Sequence, residues 1–510
     1  MAGPRRAHQP RSLRRGGGQA GDRLADRLRR RPPGGPVRPR HRGGRTRGQA
    51  RRRPAQDGIA QRRPPLHPGP LRGSTEKGGT GGLRPPEPAS GGYLGGRRRR
   101  AGGSAVGEFE DFVREEYRRR EQVVSSHFAR EAPRLARACH AMAERFARGG
   151  RILAFGLGAA ATDASHISVE FVHPVIVGKR ALPAIALPND GPTALGLAAE
   201  DCASVFARQI EAIGEPDDIA IGLSLSPDDP SEPAVAAGIK QAAAKGMQTI
   251  ALTGPSSHAG TWEADWLFTC DDRDPFVVQE VHETGYHVLW ELVHVFFEHK
   301  GLLKGRTAGF VQDSGASGFL YPFLAEAETN LDEVLEEIQG SILQKAQDVI
   351  DIRAAGARAD PANLTTAARV LAERFASGGK VLAFGNGGSA TDAQDFVTDL
   401  MAPPRGLRPR PALSLTNEEA VITAVGNDVG FDNVYARQVI AFGKPGDVAF
   451  AISTSGGSRN VLAALEEARR RKLVCFSTAV VPLNRRTRPS ALIALSECMT
   501  PSSLVKQAVL

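Results

Sequence analysis

From Phe109 to Arg148 apolar residues recur at the spacing of one helix face: Phe109, Phe112 and Val113, then Val123, Val124 and Phe128, then Leu135, Cys139, Met142 and Phe146. The pattern predicts two helices broken near Pro133, because proline lacks the N–H that an interior helical turn needs. Gly149-Gly150 stops the second helix, and Ile152–Phe155 reads as a short buried strand. Ala184–Leu187, Ile219–Leu223 and Thr249–Leu252 are further short apolar runs with helical segments between them. A helix is also expected to start near Thr162, and a long amphipathic one to run from Phe276 to His299. Strands that alternate with helices predict an α/β fold with a parallel sheet between two helical layers.

The same pattern returns 229 residues later. Residues 140–156 read HAMAERFARGGRILAFG and residues 369–385 read RVLAERFASGGKVLAFG, while Val205–Gln209 returns as Val434–Gln438. Self-similarity at fixed spacing means one structural unit present twice. The second copy should hold helices over 326–376 and strands at Val381–Phe384, Ala412–Leu415 and Val448–Ile452. Four segments follow: a tail over 1–105, a first domain over 106–305, a linker over 306–325 and a second domain over 326–510. The match lapses after Leu473, so the second domain is expected to be truncated. It would lack its last strands and closing helix, with an apolar sheet edge left bare unless the first domain covers it.

The formal charge of +10 is unevenly spread. Residues 1–100 hold 27 basic and 5 acidic side chains; taking these from the chain's 66 and 56 leaves 39 basic against 51 acidic. The folded part is mildly acidic and gives no case for nucleic-acid binding, which only the basic tail could support through phosphate contacts. That tail is rich in Arg, Gly and Pro and too poor in aliphatic residues to offset its ordering entropy, so it is expected to be disordered. No run of 18 apolar residues suggests a membrane span, and no apolar stretch follows the basic N-terminus as in a secretory signal. Five scattered cysteines without C-x-x-C spacing fit reduced thiols in a cytoplasmic protein.

Candidate chemistry lies in the loops. In the second copy the first strand runs into Gly385-Asn386-Gly387-Gly388-Ser389-Ala390 and then a helix. A later strand runs into Ser453-Thr454-Ser455-Gly456-Gly457-Ser458, again opening a helix. Glycines let backbone approach a ligand closely, and free N–H groups at a helix start attract anions. Two hydroxyl-lined turns at the carboxyl ends of parallel strands form the usual ligand crevice of such a sheet, so a small phosphate-bearing ligand is expected. Either turn alone would be no more than a strand-to-helix connection.

FGNGGSATDAQDF, GNDVGFDNVYARQV and AISTSGGSRNV resemble the sugar isomerase (SIS) domain of phosphoheptose isomerases, which interconvert sedoheptulose 7-phosphate and a heptose phosphate. The resemblance covers about 106–300 and 326–473 and implies two tandem flavodoxin-like domains. It implies that Asn386, Gly387, Gly388, Ser389, Ser453, Thr454, Ser455 and Ser458 bind the sugar phosphate and that Asp428 faces sugar hydroxyls. The family's helix pattern Gln-His-x-x-x-Glu is met in the first copy by Ser165-His166 and Glu170, with Ser in place of Gln. Its Gln-Glu-x-His-x-x-x-x-His pattern is met by Gln279, Glu280, His282 and His287. The resemblance thus implies one zinc ion on His166, Glu170, Gln279 and His287, with Glu170 and His287 moving the proton between C1 and C2. The spacing agrees, since residues four or eight apart share a helix face. An exposed His-x-x-x-Glu pair is, however, ordinarily a surface ion pair.

Each copy is altered where the other is intact. The first reads Gly156-Leu157-Gly158-Ala159-Ala160-Ala161 and Ser224-Leu225-Ser226-Pro227-Asp228-Asp229 in its loops; the second has Asp395 and Asp399 in place of His and Glu, and no histidine follows His299. Three readings follow: an isomerase with a composite site, a non-catalytic phosphosugar-binding or regulatory protein, and a decayed fusion. Family members place sites at subunit contacts, which also implies a homo-oligomer.

Overall fold

The computed structural model describes residues 105–174, 179–226, 232–255, 262–298, 302–303, 330–359, 361–404, 406–479 and 492–495, all within one compact unit. The Arg-rich tail and the 306–325 linker lie outside these residues. In the first half the order is α1 (Ala105–Ala147), β1 (Ile152–Phe155), α2 (Ala159–Val172), β2 (Ala184–Ala186), α3 (Gly191–Asp201), α4 (Val205–Ile213), β3 (Ile219–Ser224), α5 (Glu232–Ala244), β4 (Gln248–Thr253), β5 (Trp266–Thr269) and α6 (Pro275–Glu298). In the second it is α7 (Leu331–Ala359), α8 (Pro361–Ala376), β6 (Val381–Phe384), α9 (Gly388–Met401), β7 (Ala412–Ser414), α10 (Glu419–Asp428), α11 (Val434–Phe442), β8 (Val448–Ser453), α12 (Arg459–Arg470), β9 (Val474–Ala479) and β10 (Leu492–Leu495).

Two five-stranded parallel sheets result, ordered β2-β1-β3-β4-β5 and β7-β6-β8-β9-β10. Every residue of β1, β3, β4, β6 and β8 is buried, as expected for parallel strands covered on both faces. Alternation sorts the side chains: Ile152 and Ala154 face the layer of α1, α2 and α6, while Leu153 and Phe155 face α4 and α5. The three-layer α/β expectation holds in both halves.

Two expectations are corrected. Pro133 does not break the first helix, because α1 runs unbroken through it. Burial of Phe128, Ala132, Leu135 and Ala136 on either side holds the helix together across the missing N–H. In the second half the break is real, with Pro361 as the first residue of α8, where its missing N–H costs nothing. The second domain also does not lack its last strands: β9 pairs with β8, and β10 pairs with β9 in the register Leu492↔Cys475. Only the closing helix, the partner of α6, has no counterpart among the described residues.

The halves exchange helices. Phe109, Phe112, Val113 and Tyr117, at the start of α1, pack into the core of the second half. In return Val334, Leu335, Ile338, Ile342 and Ala346 of α7 pack into the core of the first. A buried ionic network fastens the crossing. Arg120 on α1 meets Glu280 on α6 at 3.1 Å and Glu116 at 2.8 Å, and Arg353 on α7 meets the other Glu280 oxygen at 3.2 Å. All four side chains are buried. Removing one member leaves a charge buried without compensation, which costs roughly 3–5 kcal/mol. Glu280→Ala is therefore expected to lower the unfolding free energy by about that amount in urea titrations. Arg369→Ala, which breaks an exposed pair with Glu373, is expected to cost below about 1 kcal/mol. Equal effects would show that the network does not hold the exchange.

Candidate functional site

Strands β6 and β8 are neighbours, so the loops that follow them lie side by side at the carboxyl edge of the second sheet. Gly387 makes the turn into α9 with φ 56°, a conformation that side chains disfavour. Ser389 is buried in the first turn of α9, and Ser458 stands at the N-cap position of α12 without a side-chain capping bond. Ser453 Oγ accepts the N–H of Gly456 at 3.1 Å and Ser455 Oγ that of Gly457 at 3.2 Å, which leaves each hydroxyl proton to donate elsewhere. Thr454 and Ser455 are exposed. Asp428 lies exposed at the end of α10 and accepts a hydrogen bond from Asn427 at 2.9 Å. Asn386 is tied to Asn460 through both ends of its carboxamide.

The first half contributes imidazoles. His166 and Glu170 lie one turn apart on α2, with His166 Nε2 3.7 Å from Glu170 Oε1. The ring of His287 on α6 stands edge-on to that of His166, with centroids 4.9 Å apart. One donor atom from each of His166, Glu170 and His287 lies within 4.8 Å of the others. His287 Nδ1 lies 2.7 Å from the carbonyl of Glu283, which fixes the proton there and leaves Nε2 as the lone-pair nitrogen. Burial, helped by the charge of His166, lowers the His287 pKa to about 4, so the ring is neutral near pH 7. Burial would raise the Glu170 pKa, but the imidazoles of His166 and His287 beside it outweigh burial, and the group is shifted down. Neutral imidazole and ionised carboxylate are the forms that bind a metal, and the donor set suits a zinc-type ion. Gln279 Nε2 donates to Asp395 Oδ1 at 3.0 Å and approaches the carbonyl of Ala159 at 3.4 Å.

Helices α2 and α9 pack against each other across the join of the halves. There His166 Nδ1 lies 3.6 Å from Asp392 Oδ1. A Cβ added to Gly388 would sit 2.7 Å from His166 Nε2, so the ring can hold this position only against a glycine. The histidine of the first half thus touches the residue next to Ser389 in the glycine loop of the second. Glu283 joins the same junction, with one donor atom each from His166, Glu283 and Asp392 within 4.8 Å. Burial, then Asp392, Asp163, Glu280 and Asp395, push its carboxyl well above the usual range.

Sequence reasoning gave no role to Asp392, Glu283, Tyr435 or Asn460. Asp392 carried one signal, since the repeat places Asp163 at the matching position, so both helices bring an acid to the join. Tyr435 carried another: it stands where the first copy has Phe206.

The SIS domain family model matches residues 116–254 and again 344–475. A phosphoheptose isomerase of Shewanella loihica is 43% identical over 136 residues, which cover 26% of this chain and 67% of that protein. The phosphoheptose isomerase of Bordetella avium is 50% identical over 111 residues, covering 22% and 56%. Among solved structures, a phosphoheptose isomerase from Francisella tularensis is 30% identical, covers 33% of this chain and 94% of its own, and overlays with a TM-score of 0.32. With the SIS model matched twice over more than half its length, this chain belongs to the SIS domain family.

Proposed function

We propose that the chain binds one sugar phosphate in a single pocket composed from both halves, and that it is an aldose–ketose isomerase of the phosphoheptose isomerase type. The observation that carries this reading is the contact of His166 with Gly388. It sets the metal-type side chains of the first half against the hydroxyl-bearing loops of the second. Ser389, Ser453, Thr454, Ser455 and Ser458 supply hydroxyls for the phosphate, and the N–H groups at Gly387 and Gly388 open α9 toward it. Asp428 is assigned to the sugar hydroxyls. The curated relatives named as phosphoheptose isomerases match about a quarter of the chain each, and sedoheptulose 7-phosphate is the substrate their name suggests.

His166, Glu170 and His287 would hold a zinc ion, with the Gln279 amide oxygen as a fourth donor. A bound ion there would polarise the substrate carbonyl. Proton transfer between adjacent carbons needs a base at the site, and Glu170, held ionised beside two imidazoles, accepts the proton at its carboxylate and returns it to the neighbouring carbon. His287 suits ligation better than acid catalysis, since a ring with a pKa of about 4 carries no spare proton near neutrality. We assign residues 106–305 and 326–510 to the two domains. The four described cysteines are free thiols and no described helix is long and apolar enough to cross a membrane, which fits a cytoplasmic location. Exposed Ile185 and Leu195 in the first half, and Leu413, Val421 and Phe431 in the second, fit a homo-oligomer.

The engagement of Gln279 with Asp395 supports a second reading, a phosphosugar-binding protein without turnover. Calorimetric titration with sedoheptulose 7-phosphate, paired with an assay of its isomerisation, separates the two. Binding at one site per chain with turnover supports the isomerase; saturable binding without turnover supports the sensor; two sites per chain contradict the composite pocket. Ser389→Ala and Ser455→Ala are expected to weaken binding by about tenfold each through loss of a hydrogen bond to a charged ligand. Ser224→Ala, in the altered loop of the first half, is expected to leave it unchanged.

Zinc titration of the full chain is expected to show one ion bound, with His166→Ala weakening it by at least about 100-fold. An unchanged affinity in that variant would remove His166 from the ligand set.

A further inference from the structure

Asn386 sits in the turn after β6, at the mouth of the phosphate loops. Its Nδ2 donates to Asn460 Oδ1 at 2.9 Å, and Asn460 Nδ2 donates back to Asn386 Oδ1 at 2.8 Å. Asn460 Oδ1 also accepts the N–H of Val461 at 3.0 Å, which anchors it in the first turn of α12. The Tyr435 hydroxyl, from α11, donates to the carbonyl of Gly385 and lies 3.3 Å from Asn386 Oδ1. Asn460 is 3% exposed and Tyr435 4%. Three side chains from three elements therefore meet between the two glycine-rich loops. The Asn386 oxygen accepts from Asn460, the Tyr435 hydroxyl spends its one proton on Gly385 beside it, and one Asn386 N–H is used.

The first half lacks all three. By the repeat, Leu157 stands at the position of Asn386, Phe206 at that of Tyr435 and Ser231 at that of Asn460. The same half has Ala160 in place of Ser389. The tie and the hydroxyl of the glycine loop are present together in one half and absent together in the other.

We propose that Asn386, Asn460 and Tyr435 form a tie that holds the two phosphate loops at a fixed separation, so that Asn460 and Tyr435 act on binding through the loops without touching the ligand. The proposal rests on the reading of these loops as the phosphate cradle. Glycine-rich loops lose much conformational freedom when they close on a ligand, and a tie that orders them beforehand removes that cost from binding. The amide pair is well placed for this, because breaking it would leave desolvated donors and acceptors without partners.

A double-mutant cycle on the full-length chain tests the proposal, with sedoheptulose 7-phosphate affinity read by calorimetry and folding by thermal unfolding. Asn386→Ala and Asn460→Ala are each expected to weaken binding by about tenfold, and the double variant by no more than the worse single one, because both break one tie. Tyr435→Phe, which removes a single hydroxyl and keeps the packed ring, is expected to weaken binding about threefold while the chain still unfolds cooperatively at a slightly lower melting temperature; it keeps the test open should an Asn variant fail to fold. A loss confined to Asn386→Ala, with Asn460→Ala and Tyr435→Phe binding as wild type, would make Asn386 a direct ligand contact and overturn the proposal. Multiplying losses in the double variant would overturn it as well. A wild-type chain that binds no sugar phosphate would remove the cradle, and this inference with it.

Discussion

Where α2 of the first half meets α9 of the second, an imidazole presses against a position that has no side chain. His166 occupies the space that a Cβ at Gly388 would need, with Asp392 beside its other nitrogen. A side chain at 388 would displace the His166 ring from this position. That close approach needs the halves to be held firmly, and the exchanged helices do so. The start of α1 fills the second core, α7 fills the first, and Glu280 joins Arg120 to Arg353 through the crossing. An ionic network buried between elements from both halves tolerates little sliding, because displacement strands a charge in a place without water.

The join relates equivalent positions of the two copies, and their differences become chemical asymmetry. At one side His166 faces Asp392. At the matching place the second copy offers Asp395, which takes hydrogen bonds from Gln279 and Thr162. An acid that draws in an amide and a hydroxyl serves packing. An imidazole beside a carboxylate can ligate a metal. The loops divide in the opposite sense, with serines and the Asn386–Asn460 pair in the second half and alanines and Leu157 in the first. Each half thus keeps what the other lacks, and the contact at Gly388 brings the kept parts together.

Much of this was legible in the sequence because it repeats. Fully apolar strands such as Val381–Phe384 announce themselves, and the carboxyl ends of neighbouring parallel strands must lie side by side. Pro133 misled because local backbone chemistry argues for a break, whereas burial of Phe128 and Leu135 around it decides the outcome. Strand β10 was missed because four apolar residues in a tail that no longer matches the repeat carry no periodic signal, and only pairing with β9 makes them a strand. Asp392, Tyr435 and Asn460 were missed for a different reason. Their roles come from partners far along the chain, 226 residues away for His166 and Asp392, and spacing along one helix cannot show them.

The central claim is that one pocket draws its metal site from the first half and its phosphate site from the second. It is tested most directly by loading the full chain with Mn²⁺, adding sedoheptulose 7-phosphate, and measuring the electron–³¹P coupling by pulsed magnetic resonance. A resolved coupling, placing the phosphorus within about 10 Å of the ion, the span of a sugar phosphate in one pocket, is the predicted result. Saturated phosphosugar and bound manganese with no such coupling would mean two separate sites and would contradict the account.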